Sequence, residues 1–104
     1  MPIIRVLAPA AREVEEAAAW YETEQIGLGA GLLDEFERVV DLLSEDSPPL
    51  VPVPGRAGKL GAKRILLHRF PFSVVALIRT DEIIILAVAH QSRQPGYWME
   101  RLGS

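Results

Sequence analysis

The apolar and polar positions of the N-terminal third predict a strand that runs directly into a helix. Residues 3–8 form a short apolar run with β-branched members, which is typical of a strand. Pro9 follows at once and suits the first turn of a helix, where a missing N–H costs nothing. From Ala10 onward, apolar residues recur at the helical spacing of positions 11, 14, 18 and 21.

A second helix is predicted after a glycine-containing break. Gly27 and Gly29 bracket Leu28 and interrupt the first helical pattern. The apolar stripe of the second helix then consists of Leu33, Phe36, Val40 and Leu43, with Leu32 and Val39 beside it. Two helices joined by a tight turn predict an antiparallel helical hairpin.

Residues 47–61 carry four prolines and three glycines and predict a loop that holds neither a helix nor a central strand. Three β-type runs follow, at residues 62–70, 72–80 and 83–89. Their short connections predict an antiparallel meander. The last run shows no alternation, which indicates a central strand covered on both faces and shielded by the first strand or by a partner.

These elements give the order β-α-α-β-β-β. We therefore expect an α+β fold in which an N-terminal two-helix hairpin packs on a small, mainly antiparallel sheet. With 104 residues, of which 49% are hydrophobic, the chain is expected to form a single domain over residues 1–104. It has no cysteine, which excludes disulfides, cysteine-based zinc sites and thiol nucleophiles. We expect a cytoplasmic protein without a membrane anchor, because no apolar run approaches the roughly 18 residues of a membrane span.

The formal net charge of -3 conceals two regions of opposite sign. Residues 1–46 carry eleven acids and three bases, a net charge of -8, whereas residues 47–104 carry eight bases and three acids, a net charge of +5. Residues 56–79 contain six bases and no acid. If residues 62–70 form one strand, Lys63 and Arg69 point to one face and Arg64 to the other, together with His68 and Phe70. Snorkelling on a solvated sheet and binding of an anionic partner both explain such bases.

No motif for phosphate, dinucleotide or metal-dependent hydrolysis occurs, and we expect neither a metal nor a cofactor. The acidic pairs Glu15-Glu16 and Glu35-Glu37 are expected on solvated helix faces. After the last strand come His90, Ser92, Arg93, Tyr97 and Trp98. Such an imidazole, guanidinium and aromatic group would suit metal-free RNA cleavage, but a structural histidine and a core lid of Tyr97 and Trp98 explain the same residues.

Four segments together resemble the RelE/ParE toxins of bacterial toxin-antitoxin modules. They are AAAWYE at residues 17–22, GLG at 27–29, LLHRFPFS at 66–73 and AVAHQSRQPGYW at 87–98. The resemblance spans nearly the whole chain and implies the same compact sheet with a two-helix hairpin.

The resemblance implies one of two activities. Members similar to RelE cut messenger RNA on the ribosome, and members similar to ParE, the plasmid-stabilisation branch, inhibit DNA gyrase. Ser73 stands where the RNase branch has an Arg after the aromatic, and the first-helix and GLG segments are most similar to ParE. The ParE-like interpretation is therefore favoured. In the RNase alternative His90, Arg93 and Tyr97 would be the catalytic residues, and a degenerate member that only binds its antitoxin is the third reading.

The resemblance also implies a cognate antitoxin that wraps the toxin with a segment folding on binding, giving a toxin-antitoxin hetero-oligomer. The other expected partner is DNA gyrase, or the ribosome and mRNA in the RNase alternative. The expected contact residues for antitoxin or target are Lys63, Arg64, Arg69, Arg93 and Trp98.

Overall fold

A computed structural model describes residues 2–45 and 50–103. The elements are β1 Ile3–Val6, α1 Ala8–Glu24, α2 Leu28–Leu43, β2 Val51–Pro52, α3 Arg56–Lys59, β3 Ala62–Leu66, β4 Phe72–Ile78, β5 Glu82–His90 and a C-terminal 3₁₀ helix Met99–Gly103. The expected α+β fold with an N-terminal helical hairpin is confirmed. None of the described helices is long and apolar enough to cross a membrane.

The five strands form one sheet in the order β1-β5-β4-β3-β2. β2 to β5 pair antiparallel in succession, which confirms the meander, and β1 lies parallel to β5. β5 is thus an internal strand shielded by β1. β1 pairs only with residues 82–85, so within the described residues the second half of β5 has no strand on that side.

The helical hairpin turns at Gly27, whose φ of 91° lies in the left-handed region that glycine adopts without strain. The Glu22 carboxylate at the end of α1 accepts the N–H groups of Gly27 and Gly29, at 2.9 and 3.0 Å, and so caps α2. The prediction that Gly29 breaks the helix was wrong, because α2 begins at Leu28 and Gly29 lies in its first turn. Gly29 is buried there, and a Cβ would run into the carbonyl oxygen of Ala18.

The buried stripe of α2 differs by one position from the predicted one. Leu32, Val39 and Leu43 are fully buried, whereas Leu33 is 39% exposed and Phe36 and Val40 are partly buried. The buried face is centred on Leu32, Val39 and Leu43, and Leu33, which lies one residue round the helix from Leu32, is turned towards solvent.

Residues 47–61 were predicted as a loop without a helix or a central strand, and residues 47–49 lie outside the described residues. The helical turn at residues 56–59 contradicts this prediction, whereas an edge strand does not. Val51 and Pro52 form a two-residue edge strand against Arg64 and Lys63, and residues 56–59 form one helical turn. An edge strand tolerates proline because it does not need a donor on its outer side.

The predicted strand over residues 62–70 ends early, at Leu66. The chain then turns through residues 68–71, with Arg69 at a φ of 72°, and Leu67 donates its N–H to Phe72. The assignment of His68 and Phe70 to the face of Arg64 was therefore wrong. Phe70 instead packs with Ile65 in the core beneath the helices.

Both faces of the sheet are covered, as predicted for the last strand. The helix-side core joins α1 and α2 to one face. On the other face a second core contains Leu7, Ala57 and Trp98 against the inner strands, with Tyr97, Met99 and Leu102 packed around it. The C-terminal tail therefore acts as the second covering layer.

Candidate functional site

A groove of about 460 Å³ lies on the sheet face opposite the two long helices. Its floor is the part of this sheet face where β3 ends and β4 begins. It is formed by Leu66 of β3, Ser73 and Val75 of β4 and Ala89 of β5. The segment from Val53 to Ala57 forms one wall, and tail residues 93–99 form the other. The volume falls in the range of roughly 300–1,000 Å³ that is common for ligand sites.

The charged side chains that line the groove are all basic. Arg56 comes from α3, Arg64 from β3 and Arg93 from the tail, and all three are exposed. Among the described residues that line the groove, none is an Asp or a Glu. Guanidinium groups of this kind have the chemistry to bind an anionic group.

The structure brings together only part of the predicted binding set. Arg64, Arg93 and Trp98 all line the groove, although Trp98 is only 4% exposed and forms part of its wall. Lys63 and Arg69 do not line it. Lys63 alternates with Arg64 along β3 and faces the helix side, and Arg69 lies in the β3–β4 turn with its guanidinium 5.5 Å from the centre of the Phe70 ring.

His90 lies at the rim of the groove, but its ring packs against the Phe72 ring. His90 pairs with Phe72 on the neighbouring strand. Their ring centres lie 5.0 Å apart in an edge-to-face arrangement on the helix-side face. Its Nδ1 accepts the backbone N–H of Ser92 at 3.0 Å and lies 2.7 Å from the Ser92 hydroxyl. The ring is therefore held by the turn that follows β5.

Tyr97 is likewise engaged by its own surroundings. Its hydroxyl donates to Glu13 Oε2 at 2.6 Å. Burial and, after it, this hydrogen bond raise the pKa of Tyr97 well above its usual range. The Arg93 guanidinium stacks 3.9 Å from the centre of the Tyr97 ring. Tyr97 thus lines the groove with its ring against Arg93, and its hydroxyl is engaged by Glu13.

The predicted set missed Glu13 and Arg101, which fasten the tail to the fold. Glu13 Oε1 accepts the N–H of Val88 and an N–H of Arg101, both at 3.0 Å, and Arg101 also donates to the Leu86 carbonyl. Hydrogen bonding to Glu13 raises the pKa of Arg101. These contacts satisfy backbone hydrogen-bonding groups in the half of β5 that β1 leaves unpaired. No sequence signal could reveal them, since Glu13 lies 88 positions from Arg101.

The expectation of a solvated face for Glu35 was wrong. The Glu35 carboxylate accepts two hydrogen bonds from the Arg38 guanidinium, at 3.1 and 2.7 Å, and one from the backbone N–H of His68 at 2.6 Å. The Arg38 hydrogen bond, together with that from His68, lowers the pKa of Glu35 to about 2. Its neighbour Glu37 is exposed as predicted, and so are Glu15 and Glu16. Within residues 2–45 and 50–103, no three His, Cys, Asp or Glu side chains gather as a metal site would require.

Comparison with known proteins agrees with this fold. The family described as "ParE toxin of type II toxin-antitoxin system, parDE" matches residues 4–95. A solved structure titled "Chromosomal ParDE TA system from P. aeruginosa" contains a chain that superposes with a TM-score of 0.69 at 21% sequence identity, over 86% of this chain and 96% of that chain. No curated protein sequence matches. Since the family match covers most of its length and all of its long elements, this chain belongs to the ParE toxin family of type II toxin-antitoxin systems.

Proposed function

We propose that the protein is the toxin of a type II toxin-antitoxin pair, that it inhibits DNA gyrase by binding, and that a cognate antitoxin neutralises it. One observation carries the choice of a binding mechanism. His90, Arg93 and Tyr97 all line the groove, but the Nδ1 atom of His90 and the hydroxyl of Tyr97 are each engaged in a hydrogen bond within the fold. The His90 ring packs on Phe72 on the helix-side face, and the Tyr97 hydroxyl is bonded to Glu13.

RNA cleavage without a metal requires groups that take and give protons at the reacting phosphate. In this groove Arg93 remains available to neutralise charge, but a guanidinium stays protonated and transfers none. Ser73, at the position where the RNase branch carries an Arg, lies 8% exposed on the groove floor. The arrangement therefore supports binding of an anionic group over cleavage.

The antitoxin is the first proposed partner, in a hetero-oligomer with the toxin, and the cytoplasm is the proposed place of action because gyrase acts on the chromosome. Arg64 and Arg93 in the groove are the proposed contacts. Arg64 and Leu66 also line a second depression, on the outer side of β3 towards α2, together with His68. Lys63 and Arg69 line neither depression. We propose that they contact an antitoxin that extends around the β3 edge of the sheet.

Induced expression in a bacterial host distinguishes the candidate functions. Gyrase inhibition predicts a DNA damage response and filamentation, relieved by co-expression of the antitoxin encoded beside the gene. Ribosome-dependent cleavage predicts rapid arrest of translation with cut transcripts, and a degenerate member predicts normal growth. A double variant, His90→Ala with Arg93→Ala, gives the mechanistic test. Toxicity that persists in this variant excludes the RNase alternative.

A further inference from the structure

We propose that the outer face of α1 around Trp20 is a docking surface for a protein partner rich in Arg and Lys. The inference rests on the proposed function, because it assigns the part of the toxin that contacts gyrase and the chemistry of the gyrase surface that it meets. An incoming Arg or Lys would lie against the indole of Trp20, between the carboxylates of Glu16 and Glu24.

Trp20 is exposed although it is anchored to the core. The two tryptophans, two tyrosines and three phenylalanines all lie in the described part of the chain, and Trp20 alone among them is exposed, at 58%. Its ring contacts Tyr21 edge-on, with ring centres 5.0 Å apart, and Tyr21 in turn packs against Phe70 and Phe72. The indole is thus held in place while much of its surface remains in water. Tryptophan is enriched among the residues that dominate interface energies.

Two carboxylates flank Trp20 on the same side of α1. Glu16 and Glu24 lie four residues before and after it, about one helical turn to either side. Both are exposed, and neither forms an ion pair among the described residues. The arginines that lie over aromatic rings in this part of the chain use Phe70 or Tyr97. The indole and the two carboxylates therefore suit a cation that comes from another molecule.

The charge of the helical hairpin favours a basic partner. Residues 13–37 contain eight acids and no base. Glu13, Glu22 and Glu35 are bonded within the fold, and the other five acids are exposed. A region of one sign attracts a surface of opposite charge and repels a nucleic acid. An enzyme that holds DNA presents Arg and Lys to the phosphates, so gyrase offers a surface of the required kind.

Fluorescence anisotropy with the full-length protein tests the chemistry of this surface without gyrase. The probe is a labelled 12-residue peptide that alternates Arg with Ala, and the comparison probe carries Gln in place of Arg. We expect the Arg peptide to bind at least about tenfold more tightly than the Gln peptide, with an affinity that falls as salt rises.

Two variants locate the binding on α1. Trp20→Ala should weaken the Arg peptide about tenfold, and so should Glu16→Gln combined with Glu24→Gln. Trp20→Phe should lose less affinity than Trp20→Ala, because a smaller ring face remains. All three side chains are exposed, and circular dichroism spectra confirm that the variants fold.

Matched controls change similar side chains outside the hairpin. Leu60→Ala removes another exposed apolar side chain, which is 53% exposed. Asp81→Asn combined with Glu100→Gln removes two exposed acids, as the double variant on α1 does. Both controls should bind the Arg peptide as the wild type does.

Supercoiling of a plasmid by purified gyrase then tests the partner. Trp20→Ala and the Glu16/Glu24 double variant should each raise the protein concentration needed for half-inhibition about tenfold, whereas the controls should not change it. Binding of the cognate antitoxin should persist in both variants, because the proposed antitoxin groove lies on the sheet face opposite α1 and α2.

Equal binding of the Arg and Gln peptides would overturn the proposal, and so would an equal loss in the controls. Loss of antitoxin binding with full gyrase inhibition would assign the surface to the antitoxin instead. A dimer in sedimentation that Trp20→Ala dissociates would assign it to a second copy of the chain. A wild type that binds the Arg peptide through Trp20 without inhibiting gyrase contradicts only the proposed target, and inhibition that is unchanged in both α1 variants contradicts only the docking surface.

Discussion

Glu13 of α1 and Arg101 of the C-terminal 3₁₀ helix form an ion pair of 3.0 Å, with side chains only 16% and 17% exposed. The pair lies where β1 has ended and β5 continues. There Glu13 accepts the Val88 N–H, and Arg101 donates to the Leu86 carbonyl. Two side chains thus supply the bonds that a longer β1 would have made, and they tie the tail to the edge of β5.

Replacement of Glu13 should destabilise the protein more than replacement of other acids on α1. Glu13→Gln leaves the charge of Arg101 unpaired in a largely buried site, which costs about 2–4 kcal/mol in the free energy of unfolding. Chemical denaturation measures this value. Glu16→Gln, an exposed control on the same helix, should change it by no more than about 0.5 kcal/mol. Equal effects of the two substitutions would contradict the role of Glu13.

Tyr97→Phe should lower stability but retain toxicity. The ring that supports Arg93 remains, whereas the hydroxyl bond to the Glu13 carboxylate is lost, at a cost of about 1.5–3 kcal/mol. Denaturation and induced expression measure the two properties. Loss of toxicity in a folded Tyr97→Phe protein would return a chemical role to the hydroxyl.

The raised pKa of Tyr97 also predicts a response to alkali. Because the folded pKa exceeds the unfolded value of about 10, its stabilising effect is complete below pH 10 and is lost as the pH rises through the folded pKa. Tyr97 should therefore resist ionisation until the protein unfolds. Phenolate absorbance of the wild type and of Tyr97→Phe follows this ionisation. A reversible ionisation of Tyr97 near pH 10 in the folded protein would contradict the burial of its hydroxyl.

Substitution by alanine at two glycines of α2 should change the stability of the protein in opposite directions. Gly29→Ala places a Cβ against the Ala18 carbonyl, so that the helices must separate, at a cost of about 1–3 kcal/mol in the free energy of unfolding. At Gly31 a Cβ meets the Phe70 ring at an ordinary 3.8 Å. Gly31→Ala should therefore stabilise the helix by about 0.5–1 kcal/mol. Thermal denaturation of both variants checks the signs, and destabilisation by both would contradict the packing described.

The lowered pKa of Glu35 predicts that the protein loses stability in acid. Its folded pKa of about 2 lies below the ordinary value of 4.5, so its contribution is complete above pH 4.5 and disappears as the pH falls towards 2. The difference in unfolding free energy between the wild type and Glu35→Gln should therefore shrink over this interval. Urea denaturation at pH 7, 4 and 3 measures it. A difference independent of pH would show that the charge of Glu35 does not carry the effect.

Regular elements were predictable where one period dominates the sequence. The non-alternating run of β5 indicated a strand buried on both faces, and the helical spacing of α1 and α2 indicated the hairpin. Errors occurred where the backbone departs from one period. The turn that begins after Leu66 reverses the face of Phe70. In α2 the two candidate stripes lie one residue apart, and the fold buries that of Leu32 and Val39 and leaves Leu33 exposed.

The site was predictable only as a set of residue types. Arg64 was selected because it lies in the basic run of residues 56–79, and Arg93 because of the resemblance of the segment after the last strand; both line one groove. The position of the His90 ring depends on Phe72 across the sheet, and the state of Tyr97 depends on Glu13, which is 84 residues away. Such long-range partners leave no periodic signal in one sequence, so the assignment of catalytic roles could not be decided there.

Supercoiling of relaxed plasmid by purified gyrase, with and without the purified protein, tests the central claim most directly. The account predicts inhibition that increases with the concentration of the protein, is relieved by the cognate antitoxin, and persists in Tyr97→Phe. Full supercoiling at a large excess of folded protein, together with cleavage of mRNA on translating ribosomes, would contradict it.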